Sequence, residues 1–481
     1  MTLTIVGLGP GSADDVTRKA WRAIEHAPLV YVRTAEHPCV KDLPAVCISF
    51  DNVYDTIPDF EGVYNEIAAR VIDAALVGDV VYAVPGHPLV AEATVKKVIE
   101  AAIREKIPFE VIDGISFVEP TLTLLGIDAI EGFQLFDAID VATLHHPPIN
   151  SDVPALLGQV YSRELASNLK LTLMNQYPDD FPVRLIHAAR TAEALVETVP
   201  LFEIDRSEHI KHLTALYLPA LGNKSSFEEF QEVIAHLRAP EGCPWDRKQT
   251  HESLRKYLLE ETHEVLEAID AGDVQGMIEE LGDVLLQIGL HAQIATDEGE
   301  FRMADVISTL NKKLIFRHPH VWGDVQVADA EGVVTNWDAL KQQEQAEGGK
   351  KKRDSLLDGV PKGLPALLQG YEYQEKAAKA GFDWWKIDDV LAKVREEFDE
   401  VLTATSDEHR AEEMGDLLFV IVNWARWQKI EPETALREAN AKFYRRFHYI
   451  EEKIAPEGKP MKEYPLPELD AIWDEAKANG L

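Results

Sequence analysis

The sequence predicts an α/β region followed by two copies of one all-helical domain, and three observations carry that prediction. Up to residue 222, short apolar runs alternate with helical patterns, as in an α/β fold. Beyond that point strand signals vanish and nearly every segment has helical period. The helical part then repeats itself in four blocks, in the same order and at near-constant offset.

A chain of 481 residues has room for two to four domains, each able to bury its own core. Its formal net charge of −35 repels phosphate backbones and anionic lipid, which argues against nucleic acid and membrane surfaces as partners. The same charge suits sites that concentrate divalent cations. Cys39, Cys47 and Cys243 are odd in number and lack metal-ligand spacing, so unpaired thiols in a reducing cytosol are expected. The chain opens directly on a buried-strand pattern with no cleavable apolar segment. No apolar run approaches the ~20 residues of a membrane span. A cytoplasmic protein is the expectation.

In the α/β region the expected strands are "LTIVGLG", "PLVYV", "VVYAVPG", "FEVID", "LKLTLMNQY", "VRLIHAA" and "LTALYLPA". Gly7, Gly9 and Gly11 follow the first, ahead of a helix with Ser12 or Asp14 as its cap. Glycines there permit a tight turn and close backbone approach to a ligand, although a plain βα connection can look the same. Two more small-residue loops, "AVPGHPLVAE" and "VIDGISFVEP", follow further strands. Three such loops at the carboxyl ends of neighbouring parallel strands are where an open sheet builds a ligand crevice.

"GLGPGSADDVT", "PGHP" and "GISF" resemble the motifs of the tetrapyrrole (corrin/porphyrin) methylases, over roughly residues 1–222. The resemblance implies two α/β subdomains with S-adenosylmethionine bound between them. The implied site uses the backbone near Leu8, Gly9 and Pro10, then Gly86, His87 and Pro88, then Ser116 and Phe117, with Met174 from the second subdomain. His87 stands where many members carry an aspartate, which leaves the methyl acceptor unread.

The helical repeats are expected at 225–345 and 362–481, joined by a linker at 346–361 that contains the basic run "GGKKKRD". In so acidic a chain a solvated linker fits that run better than a nucleic-acid patch. Glu261 and Glu264 correspond to Glu397 and Glu400, an offset of 136. Glu280 and Asp283 correspond to Glu413 and Asp416, an offset of 133. The Trp337 and Trp473 blocks, and Lys313 and Lys442, complete the repeat.

On a helical wheel Glu261 and Glu264 share one edge of the stripe Leu258, Thr262, Val265, Leu266 and Ile269. Glu280 and Asp283 share an edge of the stripe Leu281, Val284, Leu285 and Ile288. An (i, i+3) like-charge pair is unfavourable on an isolated helix. One such pair reads as a solvated acidic face; two pairs per unit, written twice, read as a metal patch. Antiparallel packing would converge four carboxylates, and all-oxygen ligation suits Mg²⁺ or Mn²⁺. Gly282 in "EELGD" and Gly415 in "EEMGD" are then expected where a neighbouring helix or the substrate comes close. Lys313, Arg317, His318 and His320 supply positive charge in the first copy, and Lys376, Lys379, Lys442, Arg445 and Arg446 in the second. Packing or phosphate hydrogen bonding, rather than zinc, is expected of the two histidines. Trp245 and Trp384 fit the core or a nucleobase pocket, with core the expectation.

"CPWDRKQTHESL", "EETHEVLEAI", "EELGDVLLQIGLHAQ" and "KLIFRHPHVWGD", with "KAAKAGFDW", "EEMGDLLF" and "KFYRRF", resemble the two repeats of MazG-type nucleoside triphosphate pyrophosphohydrolases. The whole chain resembles a methylase–MazG fusion of the YabN type. The resemblance implies a usually dimeric all-α fold that hydrolyses NTPs and dNTPs between the α- and β-phosphates, giving NMP and pyrophosphate. Glu397, Glu400, Glu413 and Asp416 would hold Mg²⁺, with Glu396 or Glu412 as base and Lys376, Lys442 and Arg446 facing the leaving pyrophosphate. Glu261, Glu264, Glu280 and Asp283 offer the same roles in the first repeat. Both motifs are intact, and the denser basic block favours the second. The alternative reading is chiefly a methyltransferase, with the repeats as a dimerising or nucleotide-sensing scaffold.

Overall fold

The computed structural model describes residues 1–325, 329, 332–333, 340 and 355–481. The Trp337 block and residues 346–354 of the expected linker lie outside the described residues. Two compact units emerge, Met1–Asn311 and Lys312–Leu481.

The first unit opens with a parallel sheet of β1 (Leu3–Gly7), β2 (Val30–Val32), β3 (Cys47–Ser49), β4 (Val80–Val84) and β5 (Phe109–Ile112), in the order β3-β2-β4-β1-β5. β1 and β4 read as continuous apolar runs because helices cover both faces of a parallel sheet, and Leu3, Ile5, Val6, Tyr82 and Val84 are fully buried. A short 3₁₀ turn at Ala13–Asp15 follows β1, and α1 (Arg18–Glu25) begins only at residue 18, capped by the Thr17 hydroxyl. The expected cap therefore moves: Ser12 starts the turn and Thr17 starts the helix.

A second, mixed sheet joins β6 (Gln134–Asp137), β7 (Ala155–Gly158), β8 (Pro182–His187), β9 (Leu195–Pro200) and β10 (Thr214–Leu218) in the order β6-β7-β10-β8-β9. Only β6 and β7 pair in parallel. The expected strand "LKLTLMNQY" is instead the end of α2 (Arg163–Leu173). Its Leu-x-Leu-x-Leu alternation mimics a strand, but Leu165, Leu169 and Leu173 are buried at helical spacing while Leu171 is exposed. Ser162 caps this helix.

No strand among the described residues follows Leu218. Asp152, beside β7, accepts hydrogen bonds from the backbone of Ser225 and Ser226, and Ser226 caps α3 (Phe227–Arg238). α4 (His251–Ala271) and α5 (Val274–Glu298) follow, linked by Gly272 in the left-handed region and by Asp273, the cap of α5. So short a link makes the two helices an antiparallel hairpin. Ile234, Leu254, Leu290 and Ile294 form their core. α6 (Met303–Arg317) comes next. The second unit holds α7 (Ala366–Lys379), α8 (Ile387–Thr403), α9 (Asp407–Trp427), α10 (Pro432–Ile454) and α11 (Leu466–Ala478).

Three expectations are corrected in the helical part. The stripe Leu281, Leu285 and Ile288 is exposed, as is Ile269, because the face of α5 that packs on α3 is the one bearing Gly289, Leu290 and Ile294. A Cβ built on Gly282 or Gly415 meets nothing within 4 Å, so no neighbouring helix among the described residues approaches either glycine. Trp245 and Trp384 are not core residues; they are 51% and 43% exposed. No helix among the described residues is long and apolar enough to cross a membrane.

Candidate functional site

The three small-residue loops of the first sheet press together backbone to backbone. Gly9 and Gly86 exchange both hydrogen bonds, at 3.2 and 2.9 Å. A Cβ on Gly7 would lie 2.5 Å from Gly86 O and 2.7 Å from Gly114 Cα, so residue 7 must be glycine for the loops to meet. Gly7→Ala is therefore expected to lower stability by about 1–3 kcal/mol through overpacking, which thermal melts would register.

Beside these loops lies a cavity of about 510 Å³. Pro10, Gly86 and Phe117 line it from the first sheet's side, and Gln159, Ile186 and Thr214 from the second sheet's side. Leu8 is fully buried behind the loop. His87, next to Pro88, accepts a hydrogen bond from the Leu89 N–H at 3.0 Å and lies 3.5 Å from Asp113. Ser116 is buried and donates to Glu119 at 2.6 Å. Met174 is placed elsewhere: it closes α2 and packs into the core of the second sheet, outside the cavity lining.

The cavity also has polar walls that sequence reading missed. Arg33 Nη1 contacts the buried Glu92 carboxylate at 3.0 Å, and Arg33 Nε is buried without a hydrogen-bond partner. Glu92 accepts from the Thr94 hydroxyl at 2.6 Å, which meets the Tyr82 hydroxyl at 2.8 Å. Burial pushes the Glu92 carboxyl above its ordinary value, against the pull of Arg33. His37 Nε2 lies 2.9 Å from Gly9 O and must donate to it, which props the first glycine loop. An arginine directly after the β2 apolar run was the available signal.

In the helical half the acids converge in two places. Glu261 and Glu264 on α4 and Glu280 on α5 bring one oxygen each within 4.8 Å of one another. Asp283 stands close enough to raise the Glu261 and Glu280 carboxyls, whose upward shifts come first from partial burial and then from the acids around them. On α8 and α9, Glu397, Glu413 and Asp416 make the corresponding cluster. Glu400 adjoins it, raised by partial burial and by Glu397 and Glu413.

The two clusters differ in the lysine and histidine beside them. Lys393 Nζ contacts Glu397 at 2.7 Å and Glu396 at 2.9 Å, and His409 Nε2 contacts Glu413 at 2.9 Å. At the same offsets of 136 and 133 the first copy carries Tyr257 and Gly276, so it lacks counterparts of both side chains. Neither Lys393 nor His409 was singled out from the sequence, although each sits one helical turn before a motif acid. Glu412 is exposed. Lys376 and Lys442 make no ion pair with the four acids of the second cluster among the described residues. The Arg446 guanidinium lies 5.5 Å over the Trp473 ring and donates to Leu481 O. His318 packs against Trp322 and His320, and no metal-ligand group among the described residues includes either histidine.

Two family models match the chain. Tetrapyrrole (Corrin/Porphyrin) Methylases covers residues 2–205, and the MazG nucleotide pyrophosphohydrolase domain matches 249–322 and again 386–450. The chain is 45% identical to the uncharacterized protein YabN of Bacillus subtilis over 99% of its own length and 98% of that protein's. It is 46% identical to the nucleoside triphosphate pyrophosphohydrolase/pyrophosphatase MazG of Thermotoga maritima, over 52% of this chain and 95% of that protein. The nucleoside triphosphate pyrophosphohydrolase of Escherichia coli K12 is 41% identical over 51% of this chain and 94% of its own length. The chain thus belongs to the MazG nucleotide pyrophosphohydrolases, in the form that carries an N-terminal tetrapyrrole methylase domain.

Proposed function

We propose that the second helical centre hydrolyses nucleoside and deoxynucleoside triphosphates between the α- and β-phosphates, releasing NMP and pyrophosphate. The observation that carries this is the Glu397, Glu413 and Asp416 cluster with Lys393 and His409 already against it. An all-carboxylate donor set fits Mg²⁺ or Mn²⁺, and Glu400 supplies a further oxygen ligand. A divalent cation bound there supplies Lewis acidity and lowers the pKa of water. Glu412 takes the proton of the attacking water, since Glu396 is tied to Lys393. Lys376, Lys393, Lys442 and Arg446 offset charge on the departing pyrophosphate. Glu261, Glu264, Glu280 and Asp283 would hold a second divalent cation, in a centre without counterparts of Lys393 and His409.

The functional partition is 1–222, 225–345 and 362–481, with 346–361 as linker, and the repeats form a homodimer. Ile278 and Leu281 on α5 are 61% and 52% exposed, and Phe398 and Leu418 on α8 and α9 are 52% and 49% exposed. Apolar faces of that kind mark an interaction surface. Gly282 and Gly415 lie on these faces, so a partner chain is what would come close to them.

The N-terminal cavity binds S-adenosylmethionine, with Leu8, Gly9, Pro10, Gly86, His87, Pro88, Ser116 and Phe117 around the cofactor. Calorimetric titration tests this: heat of binding is expected, and its loss in Gly7→Ala. A flat titration of the native chain would contradict it.

The first centre yields a pH test. Its raised carboxyls bind protons more tightly when folded, so in chelator stability falls as pH rises from ordinary carboxylate values through the raised ones. Saturating Mg²⁺ is expected to cancel that fall in thermal melts at matched ionic strength. Identical pH slopes with and without Mg²⁺ would count against a cation there.

A further inference from the structure

Away from the motif acids, the open end of the α4–α5 hairpin gathers a different set of ligand atoms. His251 is the first residue of α4, Glu298 is the last of α5, and Glu300 follows Gly299. Because the helices run antiparallel, these ends lie side by side. One ring nitrogen of His251 and one oxygen of each glutamate fall within 4.8 Å of one another. His251 is ten residues, about 15 Å of helix, from Glu261.

Two features separate this group from ordinary surface acids. The first is the pairing of His251 with a second imidazole. His251 Nδ1 and His291 Nδ1 are 2.7 Å apart, with ring planes 3° apart and centroids separated by 5.0 Å. Rings so placed meet nitrogen to nitrogen rather than face to face, and they share one proton. That bond occupies Nδ1, fixes the ring and leaves Nε2 as the ligating atom, the arrangement that an outer-shell partner gives a metal-bound histidine. The second feature is the acids' isolation. Glu298 sits at the negative end of its own helix, and no side-chain ion pair or hydrogen bond of Glu298 or Glu300 is found among the described residues, although the Glu300 N–H donates to Ala295 O.

We propose that His251, Glu298 and Glu300 bind one divalent transition-metal ion of the Zn²⁺ or Co²⁺ kind, with His291 as the residue that orients His251. One imidazole with two carboxylates suits Zn²⁺, water completing its shell, whereas Mg²⁺ favours the all-oxygen centres. The ion ties the start of α4 to the end of α5 and so braces the hairpin that carries Glu261, Glu264 and Glu280.

The test is Zn²⁺ titration of the full-length protein in a large excess of Mg²⁺, followed by calorimetry, with Co²⁺ absorption and X-ray absorption spectra beside it. One Zn²⁺ equivalent is expected beyond the Mg²⁺ sites, with a histidine nitrogen in its shell. The double variant Glu298→Gln with Glu300→Gln loses that equivalent, and His291→Phe weakens it about 10–100-fold. His251→Ala removes the histidine signature. Circular dichroism checks that each variant is folded, and the double variant exchanges exposed carboxylates for amides of the same shape. No Zn²⁺ uptake by the native chain would overturn the proposal. So would an unchanged stoichiometry in the folded double variant, or an unchanged spectrum in folded His251→Ala.

Discussion

Glu413→Gln is expected to lower pyrophosphate release at least about 100-fold, while Glu280→Gln keeps most of it. Both residues are motif acids on the second helix of their hairpin, and both belong to three-carboxylate clusters. Groups that merely stand behind metal ligands change affinity or activity by about 10–100-fold, so loss of a ligand should exceed that. The contrast comes from the surroundings. Around Glu413 the cluster already has the Lys393 ammonium and the His409 imidazole, groups able to meet a polyphosphate, whereas the first copy carries Tyr257 and Gly276 at the matching positions. Steady-state rates for both variants decide the matter. Equal losses would make the two centres equivalent, and an unchanged rate in the double variant would remove the carboxylate assignment altogether.

The second large effect concerns association. Leu281→Asp and Leu418→Asp each place a carboxylate on a wide exposed apolar face. In a dimer that face is buried, and an uncompensated buried charge costs about 3–5 kcal/mol. That is a factor above about 100 in the dissociation constant. Sedimentation velocity of the native chain is expected to show a dimer, and each variant a shift toward monomer. In the single chain these positions are open, so the fold itself should tolerate them, which circular dichroism checks. A native monomer at working concentration would contradict the association.

Much of this was legible in the residues, for identifiable reasons. Strands buried on both faces, such as β1 and β4, read as uninterrupted apolar runs between glycine loops, and the loops named the crevice. The duplicated acids appeared through fixed offsets, which no packing detail can disguise. What failed was what depends on partners in space. "LKLTL" alternates like a strand, yet Leu165 three-dimensionally aligned with Leu169 and Leu173 made it a helix. The stripe beside Glu280 reads as core by periodicity, but α3 packs on the neighbouring face instead. Arg33, Lys393 and His409 escaped notice because a lone cation has no pattern; only its distance from Glu92, Glu397 or Glu413 reveals it. Gly282 and Gly415 remain costly in a helix, about 1 kcal/mol each, with nothing within 4 Å of a Cβ there among the described residues.

The central claim, cleavage between the α- and β-phosphates, is tested most directly by product chromatography. A panel of NTPs and dNTPs is incubated with Mg²⁺, with and without S-adenosylmethionine, and the nucleotide and phosphate products are separated. The account predicts NMP and pyrophosphate in equal amounts, lost in chelator. NDP with orthophosphate, or tight binding without turnover in Mg²⁺ or Mn²⁺, would contradict it.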